Sequence, residues 1–288
     1  MRKRAIAYGI VALFSLIALF PVAFTFVNSF LSQNEAMSRY STTSNLYNVY
    51  DAVGKNHYAS PTLLPDYPTL GQYVQVLTGT NLYLGLFWNS VFIMVPVVLG
   101  TLFIALPAAY AFTYMRWQHK EKLYFLYIIV MLMPMQITLV SNYVMARWLG
   151  IENSYWAIIL PGLAAPLGVF LVRQQMLGLH RSYVESAQID GASHMRILLS
   201  IATPMMQGAI AAMLLLTFIE YWNVVDQAIV FIQRPLSYPL SVYLSRTVTE
   251  DIGVFFAVAC IYLFPAVLLF LYGQQSMLRG IQLSGLKR

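Results

Sequence analysis

The chain has 288 residues, of which 59% are hydrophobic and 10% are charged. A soluble domain carries about 25% charged residues, so a surface covered by water is excluded. The formal charge of +6 is spread between apolar runs rather than gathered in a patch, which argues against a nucleic-acid partner, and the single Cys260 excludes an internal disulfide.

A helix needs about 20 apolar residues to cross a hydrocarbon layer about 30 Å thick. Six stretches meet this, at about 5–31, 85–114, 123–145, 155–172, 205–232 and 253–275. The fold class is therefore all-α, a polytopic integral membrane protein of about six transmembrane helices, with residues 1–288 forming one transmembrane domain. The first stretch follows Arg2, Lys3 and Arg4, as a signal peptide would. Its apolar run is about twice the usual signal-peptide length and lacks a clear small-residue cleavage site, so it is kept as a span. Residues 32–84 then form a segment rich in Ser, Thr, Asn, Tyr and Pro, too polar to span.

In the second span Ala105 and Ala109 form a small-xxx-small pair that allows close helix approach. Pro134 and Gln136 in the third span, and Pro161, Gly162 and Pro166 in the fourth, are expected to interrupt regular helix. Backbone groups freed in lipid need protein or a water-filled cavity to satisfy them. The three prolines read either as hinges for alternating access or as packing irregularities. The fifth span holds Glu220, Asn223, Asp226 and Gln227. Positions 220, 223 and 227 share one face of a continuous helix. Intramembrane polar groups of this kind line a translocation path or glue helices together. The 14 methionines read as filler.

Lys and Arg set the orientation. With the N-terminus inside, twelve fall on the cytoplasmic side and five outside, which places both termini in the cytoplasm. Segment 32–84 is then external and segment 173–204 is cytoplasmic. In the latter, Ser182 followed by Glu185 is a capping-box pattern that starts a short helix. Val184, Ala187 and Ile189 give it an apolar aspect, and Gly191 ends it. A second helix runs from about Ser193, with Pro204 marking its passage into the fifth span. A short helix of this sort either docks in a groove of another protein or lies on the lipid surface. His180 and His194 flank it but make a poor metal pair. No Ser/His/Asp or paired-carboxylate arrangement suggests catalysis, and no metal site is expected.

The loop resembles the signature of permease subunits of binding-protein-dependent ABC importers: Glu-Ala-Ala, three residues, Gly, nine residues, Ile-x-Leu-Pro. Here it reads Glu185-Ser186-Ala187, Gly191, then Ile201-Ala202-Thr203-Pro204, departing at Ser186 and Thr203. Trp88-Asn89-Ser90, Ala108 to Phe112, Phe218 to Asn223 and the tail from Arg279 to Lys287 resemble the carbohydrate branch, in particular the second permease of maltose-type importers. The resemblance implies the type I permease fold and a cytoplasmic coupling helix, with Glu185, Ser186, Ala187, Asp190, Gly191 and Pro204 coupling to an ATPase. It also implies a second homologous permease, two copies of a cytoplasmic ATPase that bind ATP and Mg, and an external solute-binding protein. The substrate is expected to be a sugar or oligosaccharide, moving past Glu220, Asn223 and Gln227. The location implied is a bacterial or archaeal cytoplasmic membrane. This chain has no G-x-x-x-x-G-K-[ST] segment, so ATP hydrolysis falls to the partner and no cofactor is expected here. The rival readings are an ABC permease for a non-sugar solute such as a peptide or amino acid, a secondary transporter or channel, and a membrane enzyme.

Overall fold

Apolar runs with no polar stripe leave the backbone one way to satisfy its own N–H and C=O groups in lipid, which is to coil into helix. The computed structural model describes residues 2–44, 64–79, 81–246 and 252–285, and among them every regular element is helical. In chain order these are α1 (Arg2–Asn28), α2 (Gln33–Ser44), α3 (Gly71–Val74), α4 (Asn81–Tyr114), α5 (Lys120–Met131), α6 (Met135–Trp148), α7 (Trp156–Leu163) and α8 (Pro166–Leu177). Then follow α9 (Arg181–Ile189), α10 (His194–Ile197), α11 (Thr203–Met205), α12 (Gln207–Trp222), α13 (Asp226–Phe231), α14 (Leu240–Arg246) and α15 (Ile252–Gly285). Single π-helical turns, Gln75–Gly79 and Leu198–Ala202, extend α3 and join α10 to α11.

Among the described residues four stretches are long and apolar enough to cross a membrane: Ile6–Asn28, Asn81–Tyr114, Trp156–Leu177 and Ile252–Gln274. Two more exist only as bent pairs. The expected third span is α5 and α6, which meet at 103° around Leu132–Pro134. The expected fifth span also differs. Its helix, α12, stops at Trp222, and residues 223–225 turn the chain into the separate α13. On its other side α12 meets the α10–α11 segment at 83°.

Pro161 does not break helix as expected, because α7 runs through it. The break comes at Ala164–Ala165, ahead of Pro166, where Ala165 has φ +39°. A proline disfavours helical backbone in the residue before it, and Pro166 then starts α8 with its fixed φ. Pro96 and Pro107, by contrast, lie within the unbroken α4.

The described residues form two compact units, Met1–Phe87 with Tyr243–Pro265, and Trp88–Val242 with Ala266–Arg288. In the first, the carboxylate of Glu35 accepts the N–H groups of Asp66 (2.8 Å) and Tyr67 (3.4 Å) and pairs with Arg39 (2.6 Å), which also pairs with Asp66 (2.6 Å). Thr69 N–H donates to Phe30 (2.8 Å). Residues 64–70, in the polar 32–84 segment, are thereby tied to the turn that follows α1 and to α2. Gly253 in α15 has no room for a side chain, since a Cβ would lie 2.6 Å from Gln72 Nε2. In the second unit one core joins Ala105, Ala109 and Tyr110 of α4 to Val172 and Met176 of α8 and to Ile197 and Met213. The full burial of Ala105 and Ala109 is what small residues permit where helices approach closely. A second core gathers Ile93, Val97, Ile158, Phe231 and Val242.

Candidate functional site

Two places collect the residues singled out by sequence, both inside the second unit. The first is the 173–204 loop. Helix α9 starts two residues earlier than the capping box requires. His180, in extended conformation, precedes the first helical residue Arg181, and Ser182 lies within the first turn. The glycine end is as expected. Gly191 has φ +78°, and the N–H groups of Gly191 and Ala192 return to Gln188 O (3.0 Å) and Ala187 O (2.9 Å). These are the paired bonds of a Schellman motif, which needs a left-handed residue at the position glycine holds. Ser193 then caps α10, its hydroxyl accepting Arg196 N–H at 3.4 Å.

Val184 and Ala187, three apart, bury into the α4–α8 core. Ile189 does not join them and is 86% exposed. Five residues of helix rotate it about 140° away from Val184, so the expected apolar aspect splits in two. Glu185, Ser186, Asp190 and Gly191 are exposed, as are Tyr183 and Met195. The buried residues anchor the loop, and the exposed ones present charge, a carboxyl-bearing helix end and apolar side chains.

The anchoring includes residues that the sequence reading passed over. Tyr110 Oη lies 3.1 Å from His194 Nδ1, and Tyr114 Oη donates to Met176 O at 3.0 Å. Arg173, counted only as a topology charge, is buried. Its guanidinium sits 3.7 Å over the Tyr124 ring, 3.5 Å from Glu121, and its Nε donates to Phe112 O at 3.4 Å. A basic residue at a span end gave no signal beyond its charge, because its partners are 49 to 61 residues away in the chain. A hollow of about 590 Å³ separates Tyr114 and Arg116 from Arg181, Glu185 and Gln188.

The second place is a cavity of about 550 Å³ where the broken spans meet. It is lined by Met133 and Met135 beside Pro134, by Pro161, Ala164, Ala165 and Pro166, and by Thr217, Glu220, Tyr221 and Gln227. A recess of about 170 Å³ beside it adds Asn223 and Asp226. The expectation that positions 220, 223 and 227 lie on one face of one helix is corrected, since α12 ends between them. The break nevertheless leaves all three lining the same recess. Asn223 stabilises the helix end by donating from Nδ2 to Ile219 O at 2.8 Å. The carbonyl of Ala164 accepts the Tyr127 hydroxyl, and Val224 O accepts the Ser241 hydroxyl at 2.5 Å, so freed backbone acceptors are met by side chains. Gln227 Oε1 is buried with no hydrogen-bond partner among the described residues. Asn89 and Ser90 fasten the segment after α13, Asn89 donating to Leu236 O (2.8 Å) and Tyr238 O (3.0 Å) and Ser90 Oγ accepting Leu240 N–H (2.8 Å). Among the described residues no group of His, Cys, Asp or Glu is arranged to hold a metal.

Broken helices around a cavity are a feature of many membrane transporters. Residues 83–276 match the family described as binding-protein-dependent transport system inner membrane component, and the chain belongs to it. It is 27% identical over 226 residues to the arabinooligosaccharides transport system permease protein AraQ of Halalkalibacterium halodurans, covering 77% of this chain and 81% of that one. It is 30% identical over 224 residues to the osmoprotective compounds uptake permease protein GgtD of Synechocystis sp., covering 76% and 75%. Its fold matches a chain in the crystal structure of a bacterial ABC transporter involved in the import of the acidic polysaccharide alginate, with a TM-score of 0.75 and 23% identity over 95% of this chain and 96% of that one. The protein is thus a multi-pass inner-membrane permease component of an ABC importer, and not an enzyme.

Proposed function

We propose that this chain forms part of the translocation path of an ATP-driven importer for a sugar or oligosaccharide, working by alternating access. The loop around α9 docks into a cytoplasmic ATPase, which binds ATP and Mg, and closure of two ATPase copies moves the spans. A second homologous permease completes the path and an external solute-binding protein loads it. Both chain termini lie in the cytoplasm, on the side to which Lys and Arg are biased. The observation that carries this reading is the two-sided loop, anchored inside through Val184 and Ala187 and presenting Glu185, Asp190 and Ile189 outside. A helix anchored to one set of spans and docked to a mobile partner transmits that partner's motion, and coupling of this kind is a differential contact between two global states. Glu220, Asn223 and Gln227 line the path, Pro134 and Pro166 sit at the helix breaks beside its cavity as hinges, and Pro161, inside α7, lines the cavity without breaking the helix. Sugar as substrate is supported by the maltose-type segments and by the name of the arabinooligosaccharide permease. The osmoprotectant permease favours, as a second reading, a non-sugar solute.

The test is co-purification of the tagged chain from its native membrane. An ATPase and a second permease are expected to accompany it. Gly191→Val, which forces a β-branched residue to φ +78°, is expected to shed the ATPase while the second permease stays bound. Gly191→Asn, tolerant of that φ, is expected to retain it. ATPase retention in the valine variant would sink the docking assignment.

A further inference from the structure

The cavity between the broken spans carries negative charge alone. Glu220 lines both it and the adjoining recess, Asp226 lines the recess, and among the described residues no Lys, Arg or His lines either. Among the described residues Glu220 and Asp226 make no ion pair. The remaining polar side chains are uncharged: Thr138, Asn142, Thr217, the Tyr221 hydroxyl, Asn223 and Gln227, whose Oε1 has no partner among the described residues.

We propose that this cavity admits neutral, hydroxyl-rich solutes and rejects anionic ones, with Glu220 the residue that sets the sign. This rests on the reading of the cavity as part of the translocation path. A sugar hydroxyl donates to a carboxylate in a charge-assisted bond, stronger than one between neutral groups. A uronate or phosphate group brought to the same place meets like charge with no cation to offset it. Within about 6 Å, in a partly hydrated pocket, one such charge disfavours an anion by roughly tenfold and favours a cation by a similar factor. Methionines on the wall (Met131, Met133, Met135, Met213) supply adaptable apolar surface for the ring faces of a solute.

The potential can be measured without knowing the solute, because the chain has one cysteine to remove. In a Cys260→Ser background, Thr217→Cys puts a thiol one turn from Glu220 on the cavity wall. The whole importer, with its partner subunits in nanodiscs, is treated with a cationic (trimethylammonium-ethyl) and an anionic (sulfonatoethyl) methanethiosulfonate. Rates are read by intact mass of this chain and referred to free 2-mercaptoethanol. A neighbouring carboxylate also makes the thiol less acidic, but that slows both reagents alike and cancels in the ratio. The cationic-to-anionic ratio is expected to exceed that of the free thiol by about a hundredfold, the product of the two effects, to fall at least tenfold in Glu220→Gln, and to survive Glu220→Asp. Thr138→Cys on the opposing wall serves if the first variant does not assemble. A ratio equal to the free thiol's, or one unmoved by Glu220→Gln, overturns the proposal. Equal reaction rates in nucleotide-free and ATP–vanadate-trapped importer would instead show a cavity that does not change with the transport cycle. That outcome removes the path reading, and the selectivity with it, whatever the ratio.

Discussion

A methyl group on Gly162 would sit 2.7 Å from the phenol of Tyr221, so α7 has no space for any side chain where it faces α12. Tyr221 is itself buried and its ring forms part of the cavity wall. Gly162→Ala must therefore push a packed ring rather than a flexible chain end, and overpacking of that kind costs about 1–3 kcal/mol. We predict a lower thermal unfolding temperature of the purified importer and a smaller cavity. The second effect is readable as slower thiol labelling at Thr217→Cys, and an unchanged rate would place Tyr221 outside the wall. At the loop, Tyr110 and His194 meet at 3.1 Å, with Tyr110 almost fully buried. Tyr110→Phe keeps the ring in the core and removes the hydroxyl. The predicted loss is about 1 kcal/mol, appearing as faster amide exchange in α10 while α4 is unaffected.

At the scale of elements, α9 has two faces with opposite sensitivities. Val184 is buried in the core, so Val184→Asp places a charge there without a partner and is predicted to destabilise by several kcal/mol. Ile189 is 86% exposed, so Ile189→Asp should shift stability by no more than about 0.5 kcal/mol. The same Ile189→Asp variant is nonetheless predicted to lose the ATPase on purification. Unimpaired ATPase binding there would remove Ile189 from the docking face. This division could not be read from the sequence at first, because three apolar residues within six suggested one face, and only the burial of Val184 and Ala187 fixes the helix rotation. The helices themselves were legible, since apolar length decides what lipid will accept. The breaks were legible in part. Pro134 announces one and Pro166 another, but the turn at 223–225 contains neither proline nor glycine. It is held by Asn223 reaching back to Ile219 and by Ser241 bonding Val224 from 17 residues ahead. Long-range partners of that kind leave no local pattern, and the same holds for Arg173 on Tyr124.

At the scale of the molecule, two features bear on how a moving transporter keeps its shape. Residues 64–70 are stapled by Glu35, which receives two backbone N–H groups and the Arg39 guanidinium while nearly buried. Removing one member of such a buried set leaves the others unsatisfied, at about 3–5 kcal/mol. Glu35→Ala is thus predicted to release residues 64–70 to fast amide exchange, with the helices of the other unit unaffected. The second feature is the meeting of three broken spans at one cavity, together with a loop helix anchored to the same core that holds α4, α8 and α12. On the proposed reading, a load applied by an ATPase docked at α9 reaches the spans through that core. The resemblance read from Glu185 to Pro204 and the family match over residues 83–276 concern the same segment of chain. On the proposed reading the path is shared with a second permease, which divides the solute's contacts between two chains and leaves its identity unwritten in this one.

The most direct measurement is solute uptake into proteoliposomes holding the purified importer, with its binding protein outside, a panel of radiolabelled mono- and oligosaccharides as probes, and nucleotide sealed inside. Uptake that needs internal ATP, stops with a non-hydrolysable analogue and falls at least tenfold in Gly191→Val is the predicted result. Uptake that runs on a proton or sodium gradient without ATP, and ignores the Gly191→Val change, would contradict it.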